Sequence, residues 1–168
     1  KLRPIVWSYA RGVTLDLGAG TGLNIPYYLL HQLDKIVGVD LSKGMLNRAK
    51  MRADRLGIPM EFHQMNATRL DFPHHSFDTV VSTFLFCVLP DEVQARALAE
   101  VCRILKPEGR FICMEYTYSK NPLRKLLMKA MSPYVRWLYK AGFDRKTGEY
   151  LKGNENWKIE QDVFIYKD

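Results

Sequence analysis

Five short apolar segments recur along the first 116 residues, and turns or residues with helical spacing separate them. The fourth segment is apolar almost throughout, which is typical of a central strand buried on both faces of a sheet, and the third is the weakest. The predicted strands are GVTLDLG (12–18), KIVGVDLS (35–42), MEFHQMNA (60–67), FDTVVSTF (77–84) and RFICMEY (110–116).

Three segments with helical spacing lie between these strands. The second follows Ser42, a favourable N-cap residue, and precedes Gly57, a residue type that commonly ends helices. The third begins at Asp91, which together with Gln94 resembles a capping box. The predicted helices cover 27–33, 43–56 and 91–105.

The alternation of strands and helices predicts the fold class. It indicates an α/β, Rossmann-like, doubly wound domain whose mainly parallel sheet carries helices on both faces. Such sheets bind ligands at the carboxyl ends of their strands, near the point where the strand order reverses. Residues of unusual chemistry at those ends are therefore the candidates for a site.

A glycine-rich turn follows the first predicted strand, with Gly18, Gly20 and Gly22 at alternate positions. Dinucleotide-binding turns use the spacing G-x-G-x-x-G, but here Leu23 occupies the third glycine position. Asp16 lies two residues before the turn, where an acid disfavours a pyrophosphate and favours a cation. The pattern therefore predicts a ligand that has an ammonium group and no phosphate.

Asp40 ends the second predicted strand, where a carboxylate can accept hydrogen bonds from both hydroxyls of a ribose. Together with Asp16 and the glycines, it indicates an adenosine-type ligand with an amino-acid tail. S-adenosylmethionine fits this description: its ammonium would face Asp16, its carboxylate the N–H groups of the turn, and its ribose Asp40.

Four motifs in order carry a family resemblance that runs from about residue 12 to 143: LDLGAGTG (15–22), GVDLSKGML (38–46), FDTVVSTFLFCVLPD (77–91) and EVCRILKPEGRF (100–111). They resemble class I S-adenosylmethionine-dependent methyltransferases with a type 11 methyltransferase domain. The most similar subgroup contains ubiquinone/menaquinone methyltransferases, bacterial phosphatidylethanolamine N-methyltransferases and methyltransferase-like lipid-droplet proteins.

The resemblance implies a set of cofactor contacts. Leu41 and Met45 would pack beside the adenine, and Thr83 would lie beneath the methionine portion. Asn66 replaces the family's acid, and its carbonyl oxygen can still accept a hydrogen bond from the adenine amino group. The implied cofactor-binding residues are Asp16, Gly18, Ala19, Gly20, Gly22, Asn24, Asp40, Leu41, Met45, Asn66, Ala67, Thr83 and Phe84.

The same resemblance suggests catalytic residues. NIPYY (24–28) is similar to the N-x-P-Y-Y of the lipid-methylating subgroup, so the ring of Tyr27 or Tyr28 would close over the transferred methyl group, although one tyrosine is expected to be buried structure. Glu115 and Tyr116 end the fifth strand, where the subgroup often has Glu-His. Glu115 would orient an amine. The candidates are Tyr28, Glu115 and Tyr116.

The segment after the fourth strand limits the classes of methyl acceptor that the sequence favours. It lacks the polar-Pro-Pro-aromatic motif of methyltransferases that act on DNA adenine or glutamine side chains. An apolar wall beside the acceptor is predicted instead, formed by Phe84, Phe86, Cys87 and Val88. Cys87 and Val88 can equally be interpreted as residues of the core.

The positive charge of the chain is concentrated in one segment. The net charge is +7, and residues 118–152 contain nine Lys or Arg against two acids, so that 9 − 2 accounts for all of it. Within it, residues 123–138 place apolar and aromatic side chains on one side and basic side chains on the other. Pro133 predicts two short helices rather than one.

This amphipathic pattern admits two interpretations, an apolar lid over the acceptor pocket or a helix on an anionic membrane surface. It does not favour nucleic acid, because the aromatic residues do not alternate with the basic ones. No transmembrane helix is predicted. The odd number and wide spacing of the cysteines predict buried thiols in a reducing compartment: Cys87, Cys102 and Cys113. No metal site is predicted.

We expect one domain over residues 1–168. We expect the family's N-terminal helices and last strand to be missing, because few residues precede the first strand and 156–168 offer one strand. A second copy would then complete the sheet edge as a homodimer.

The sequence therefore predicts methyl transfer from S-adenosylmethionine to a lipid-like or hydrophobic acceptor, with a phosphatidylethanolamine-type amine favoured. Methylation of a prenyl quinone, small thiol or metabolite stays open, as does a non-catalytic S-adenosylmethionine-binding scaffold. The predicted location is the cytoplasm, at the inner membrane surface.

Overall fold

The computed structural model describes residues 2–139, 142, 147–153 and 155–163. Its elements are α1 (Arg3–Trp7), β1 (Gly12–Leu17), β2 (Leu33–Asp40), α2 (Lys43–Leu56), β3 (Glu61–Gln64), β4 (Phe77–Thr83), α3 (Asp91–Ile104), β5 (Leu105–Met114), α4 (Pro122–Tyr139) and α5 (Thr147–Lys152). Short 3₁₀ helices lie at Ile25–Tyr27, Leu30–Gln32 and Phe86–Val88.

The five strands form one parallel sheet in the order β3-β2-β1-β4-β5. From β1 the chain winds outward to β2 and β3, and it then returns to the other side of β1 with β4. The order therefore reverses between β1 and β4, where a crevice opens at the carboxyl ends of the strands. The predicted doubly wound α/β fold is confirmed.

Apolar layers cover both faces of the sheet. Leu15 and Leu17 of β1 pack with Val101 and Ile104 of α3 on one face. On the other face a second cluster includes Trp7 of α1 and the two alanines of α2, Ala49 and Ala53. Because side chains alternate between the faces of a strand, Leu15 and Leu17 of β1 both point to the face covered by α3. Helices on both faces exclude water from the sheet.

The predicted helix over 27–33 is wrong. Two 3₁₀ turns replace it, and β2 already begins at Leu33. Tyr28 between the turns has an extended backbone, with φ −69° and ψ 126°. Its side chain points inward against Trp7 and Asp16, and this tertiary packing outweighs the local helical spacing.

The helix termini confirm one predicted cap and correct another. Ser42 accepts a hydrogen bond from the N–H of Met45, and Gly57 ends α2 with a φ of +65°. The capping box at Asp91 is not formed, because Pro90 occupies the N-cap position. The side chain of Gln94 is buried and donates to the carbonyls of Phe86 and Leu89 instead.

The predicted break at Pro133 is also wrong, because α4 is one helix of 18 residues that contains this proline. A proline removes only one backbone donor, and the turns on either side of it continue here. Asn121 supports the start of α4, since its Oδ1 accepts from the N–H groups of Leu123 (3.0 Å) and Arg124 (3.3 Å).

Both ends of the chain differ from expectation. The sequence pattern predicts no helix before β1, but the structure has α1. Residues 155–163 form no strand, and 164–168 of the predicted last strand lie outside the described residues. β5 is therefore an edge strand in the described sheet, and its completion by a second copy stays a prediction. Within the described ranges, no helix has the length and hydropathy that a membrane span requires.

Candidate active site

The glycine turn lies at the carboxyl end of β1 and depends on left-handed backbone conformations. Gly18, Gly20 and Gly22 have φ values of +76°, +55° and +75°. Residues with a Cβ rarely adopt such values, which explains the alternating glycines. The turn thus follows a path that other residues would strain.

The three glycines have different neighbours. A Cβ on Gly22 would meet Ile25 Cδ1 at 2.6 Å and the backbone of Ala49 at 3.0 Å, so this glycine lets the turn pack on α2. A Cβ on Gly18 would press on Leu85 at 3.1 Å. At Gly20 the only atom within 4 Å is the carbonyl oxygen of Gly18, at 3.9 Å. Open space therefore faces the turn at Gly20, where a ligand can approach the backbone.

Four N–H groups of this turn are bonded within the chain, whereas those of Thr21 and Leu23 make no hydrogen bond within the described residues. Gly18 and Ala19 donate to the carbonyl of Val39 at 2.8 and 2.9 Å, and Gly22 donates to Ala19. Gly20 donates to Asp40 Oδ2 at 2.9 Å. Because a backbone N–H donates a single strong hydrogen bond, these four groups do not suit the carboxylate of the cofactor. The expected contact of the carboxylate with the turn stays a prediction for the N–H groups of Thr21 and Leu23.

Asp40 ends β2 beside the turn. Its Oδ2 accepts from Gly20, and its Oδ1 accepts from the N–H of Ser42 at 2.8 Å. These two bonds orient the carboxylate, and each oxygen keeps a second lone pair for a ribose hydroxyl. The predicted ribose-binding position is therefore compatible with the geometry.

Asp16 lies beneath the turn and is completely buried. Its Oδ2 accepts from the hydroxyl of Tyr28 at 2.7 Å, and Asn24 Nδ2 donates to both oxygens at 3.0 Å. Burial raises the pKa of Asp16 from 3.8 to about 6, although the hydrogen bonds from Tyr28 and Asn24 oppose that rise. The carboxylate thus holds the segment after the turn, and the predicted contact with an ammonium group stays a prediction.

Tyr28 is buried, and its ring packs on Trp7 with 4.2 Å between the ring centroids. Because its hydroxyl is held by Asp16, the ring does not reach an open surface, and the predicted closure over a methyl group does not fit its position. Tyr27 is exposed instead. Burial also raises the pKa of Tyr28 well above its ordinary value.

Glu115 supports the backbone after β4. Its two oxygens accept from the N–H groups of Phe86 (2.8 Å) and Cys87 (2.9 Å), which begin a 3₁₀ helix. Burial raises the pKa of this carboxyl, and the N–H groups oppose the rise. Glu115 thus caps the segment that follows β4, and its predicted role in orienting an amine stays a prediction.

The residues of the predicted apolar wall differ in burial. Phe86 and Cys87 are buried in the core, whereas Val88 is exposed. Phe84 has a φ of +60°, an uncommon conformation for an aromatic residue, and its ring stacks on Tyr116 with centroids 4.4 Å apart. Strained backbone of this kind often marks a functional site. Phe84 and Tyr116 therefore form the aromatic surface beside the crevice.

The predicted adenine contacts lie on the β2–β3 side of the crevice. Leu41 and Met45 are exposed and apolar, as residues that pack against an adenine would be. Asn66 Oδ1 accepts from both the N–H and the hydroxyl of Thr68, each at 3.0 Å. The side-chain oxygen of Asn66 is thus used in a local turn, and Ala67 follows it in the same turn.

One residue at the site was missed in the sequence. Arg3 Nη1 donates to Asn24 Oδ1 and to Thr83 Oγ1, the latter at 3.1 Å. Its guanidinium also lies 5.5 Å from the centroid of the Phe84 ring. Pro4 in the first turn of α1 was the available signal for a helix here, but nothing local indicates where Arg3 points.

The described residues contain no group of three or more His, Cys, Asp or Glu side chains placed to bind a metal. Among the described residues, Cys87, Cys102 and Cys113 are not joined in disulfides.

The chain is similar in sequence to a known protein family and to curated relatives. Residues 15–113 match the family model of the methyltransferase domain. The chain is 36% identical over 115 residues to a phosphatidylethanolamine N-methyltransferase of Cereibacter sphaeroides, covering 67% of this chain and 55% of that protein. It is 32% identical over 147 residues to the ubiquinone/menaquinone biosynthesis C-methyltransferase UbiE of Bartonella bacilliformis, covering 84% and 52%. The chain spans about half the length of these relatives.

Solved structures share the fold. The YcgJ protein of Bacillus subtilis superimposes with a TM-score of 0.70 at 24% identity, over 87% of this chain and 62% of that one. An S-adenosylmethionine-dependent methyltransferase from Clostridium acetobutylicum gives a TM-score of 0.58 at 22% identity, over 68% and 46%. At these identities the likeness concerns the fold.

Proposed function

Because the chain belongs to the methyltransferase-domain family, for which S-adenosylmethionine is the implied cofactor, we propose that it methylates the head-group amine of a membrane lipid such as phosphatidylethanolamine. The observation that supports cofactor binding best is the pairing of the open side of Gly20 with the carboxylate of Asp40. An open stretch of backbone thus lies beside a carboxylate that can accept hydrogen bonds from ribose hydroxyls, at the carboxyl ends of β1 and β2.

When bound, S-adenosylmethionine supplies an electrophilic methyl group on a sulfonium, which a nucleophile displaces in line. The chain then has to hold the two reactants close and exclude water. Asp40 would fix the ribose, and Leu41 and Met45 would cover the adenine. Phe84 and Tyr116 would border the acceptor, where aromatic faces favour the positive charge of a methylated amine.

The surface of α4 supports a lipid acceptor. Its exposed apolar side chains have between 46% and 78% of their surface accessible: Leu123, Leu126, Leu127, Met131, Tyr134, Trp137 and Leu138. The side that faces the body of the protein carries Met128, Ser132 and Val135 instead. The apolar stripe is thus not packed against the described part of the chain, which favours a membrane surface over a lid on the protein.

The basic side chains of α4 also favour a membrane surface. Lys125 and Lys129 are exposed on the side of α4 away from the apolar stripe, as the helical period places them. An apolar face with aromatic residues and a basic face are typical of a helix lying in the interface of an anionic membrane. A lipid head group would then reach the crevice from the same surface.

A prenyl-quinone acceptor is the second candidate, because the UbiE relative covers 84% of this chain. A quinone precursor is also apolar and would be reached through the same membrane surface. The methylated atom separates the two candidates, since the first accepts the methyl group on nitrogen and the second on carbon.

The direct test is incubation of the protein with isotopically methyl-labelled S-adenosylmethionine and vesicles of phosphatidylethanolamine and phosphatidylglycerol, followed by mass spectrometry. Labelled N-methylated phosphatidylethanolamine is the expected product. Label in an added demethylated quinone would favour the second candidate. Calorimetric binding of S-adenosylhomocysteine without turnover of either acceptor would indicate a scaffold, and absence of binding would contradict the proposal.

The membrane surface is tested by the double variant Leu126→Ser/Leu127→Ser. Losing two apolar side chains from the interface removes about 2 kcal/mol or more, so we expect at least about 30-fold weaker partition onto the vesicles in co-sedimentation. Met51→Ser/Leu56→Ser on α2 is the matched control, because Met51 is 63% and Leu126 67% exposed. High salt should also weaken wild-type binding. Equal partition of both variants would contradict an interfacial α4.

A further inference from the structure

We propose that Arg3 binds the α-carboxylate of the cofactor's methionine portion, a role that nothing in the sequence motifs assigns. The inference rests on the proposed binding of S-adenosylmethionine and names the residue that recognises one end of that ligand. It makes α1 part of the cofactor site.

The position of Arg3 supports this role. Its Nη1 donates to Asn24 Oδ1 and Thr83 Oγ1, which lie after β1 and at the end of β4. Asp40, the ribose position, ends β2, and β1 lies between β2 and β4. Neighbouring strands are about 4.8 Å apart, so β2 and β4 are separated by about 10 Å across the sheet. A ligand whose ribose lies at Asp40 and whose tail runs across the glycine turn therefore ends beside Arg3.

Four of the other candidate receptors for a carboxylate are already engaged. The N–H groups of Gly18, Ala19, Gly20 and Gly22 donate to Val39, Asp40 or Ala19. Asp16 has the wrong charge. The N–H groups of Thr21 and Leu23 stay open in the described structure, and Arg3 supplies the cation that an anionic end favours at this end of the crevice.

The guanidinium of Arg3 is also held in a position from which it can bind a carboxylate. Its Nη1 is fixed by two side chains, and its plane is near the Phe84 ring. Over the residues that the structure describes, no carboxylate pairs with Arg3, and its Nε and Nη2 make no hydrogen bond. A planar guanidinium with two free donors matches the two oxygens of a carboxylate.

The test compares two ligands that differ only in the carboxylate: S-adenosylhomocysteine and its decarboxylated form, S-adenosyl-3-thiopropylamine. Calorimetry on the wild type should show about 20-fold tighter binding of the carboxylated ligand. Arg3→Met should remove this preference by weakening S-adenosylhomocysteine alone. Arg3→Lys should keep part of it, because lysine retains the charge without the planar fork. Arg11→Met, an exposed arginine just before β1, is the control that should keep the full preference.

The results separate the inference from the proposed function. Equal affinity of the wild type for the two ligands would overturn the role of Arg3 even if the variants fail to fold. Weakening of both ligands by the same factor in Arg3→Met would show that Arg3 only positions Asn24 and Thr83, and this would overturn it too. Failure of the wild type to bind either ligand would instead overturn the proposed function, together with this inference.

Discussion

Asp40→Ala is expected to weaken binding of S-adenosylhomocysteine by two to three orders of magnitude. Hydrogen bonds to a charged group contribute about 1.5–3 kcal/mol each, and at about 1.5–2 kcal/mol each, the lower part of this range, losing two to the ribose hydroxyls removes about 3–4 kcal/mol. The variant also frees the N–H of Gly20, which now donates to Asp40 at 2.9 Å. Isothermal titration calorimetry measures the affinity directly.

Two further variants delimit this effect. Asp40→Asn keeps one oxygen acceptor of similar size, and we expect an affinity between those of the wild type and the alanine variant. Asp34→Ala removes an exposed acid at the amino end of the same strand and should leave the affinity unchanged. If Asp40→Ala bound the ligand as tightly as Asp34→Ala does, the ribose would have to lie elsewhere.

The fold was predictable because its signals are local. Buried parallel strands are continuous apolar runs, and the turn after β1 needs left-handed backbone, which only glycine adopts without strain. Ser42 and Gly57 marked the ends of α2 through the same local chemistry. The candidate site at the carboxyl ends of β1 and β2 followed from the topology alone.

The side-chain partners at the site were not predictable, since they join residues far apart in sequence. Arg3 bonds to Thr83, 80 residues away, and Glu115 bonds to the backbone of Phe86, 29 residues away. No periodicity or short motif encodes such pairs. For this reason Glu115 was predicted only to orient an amine, its bonds to the backbone were not foreseen, and Arg3 was overlooked.

Tyr28 illustrates how tertiary contacts override a local pattern. The spacing of 27–33 indicates a helix, but the gain from burying the Tyr28 ring against Trp7 and bonding its hydroxyl to Asp16 is larger than helix propensity, which is below about 1 kcal/mol per residue. The same contacts bury Asp16 completely. The buried carboxylate thus results from the packing that defines the turn, and it has a measurable consequence.

That consequence is a loss of stability as the pH rises. The pKa of Asp16 is raised from 3.8 to about 6 in the folded state, mainly by burial. The protonated form is therefore favoured by folding, and its stabilising contribution is complete below about pH 3.8 and is lost as the pH rises through about 6. The difference between the two pKa values corresponds to about 3 kcal/mol.

The variant Asp16→Asn cannot ionise and should lack this part of the pH dependence. We expect the free energy of unfolding of the wild type, relative to that of Asp16→Asn, to fall by up to about 3 kcal/mol between pH 3.5 and pH 7 in urea titrations. Asp34→Asn, at an exposed position, should run parallel to the wild type. Parallel curves for Asp16→Asn and the wild type would contradict a raised pKa.

A direct titration makes the result independent of whether Asp16→Asn folds. The side-chain carboxyl carbon of Asp16, followed by carbon-13 NMR in the wild type, should titrate near pH 6 rather than near 3.8. Tyr28→Phe removes a hydrogen bond that lowers this pKa, so its Asp16 resonance should titrate at a higher pH than in the wild type. A wild-type midpoint below pH 4.5 would mean that the hydrogen bonds from Tyr28 and Asn24 compensate the burial of the carboxylate in full.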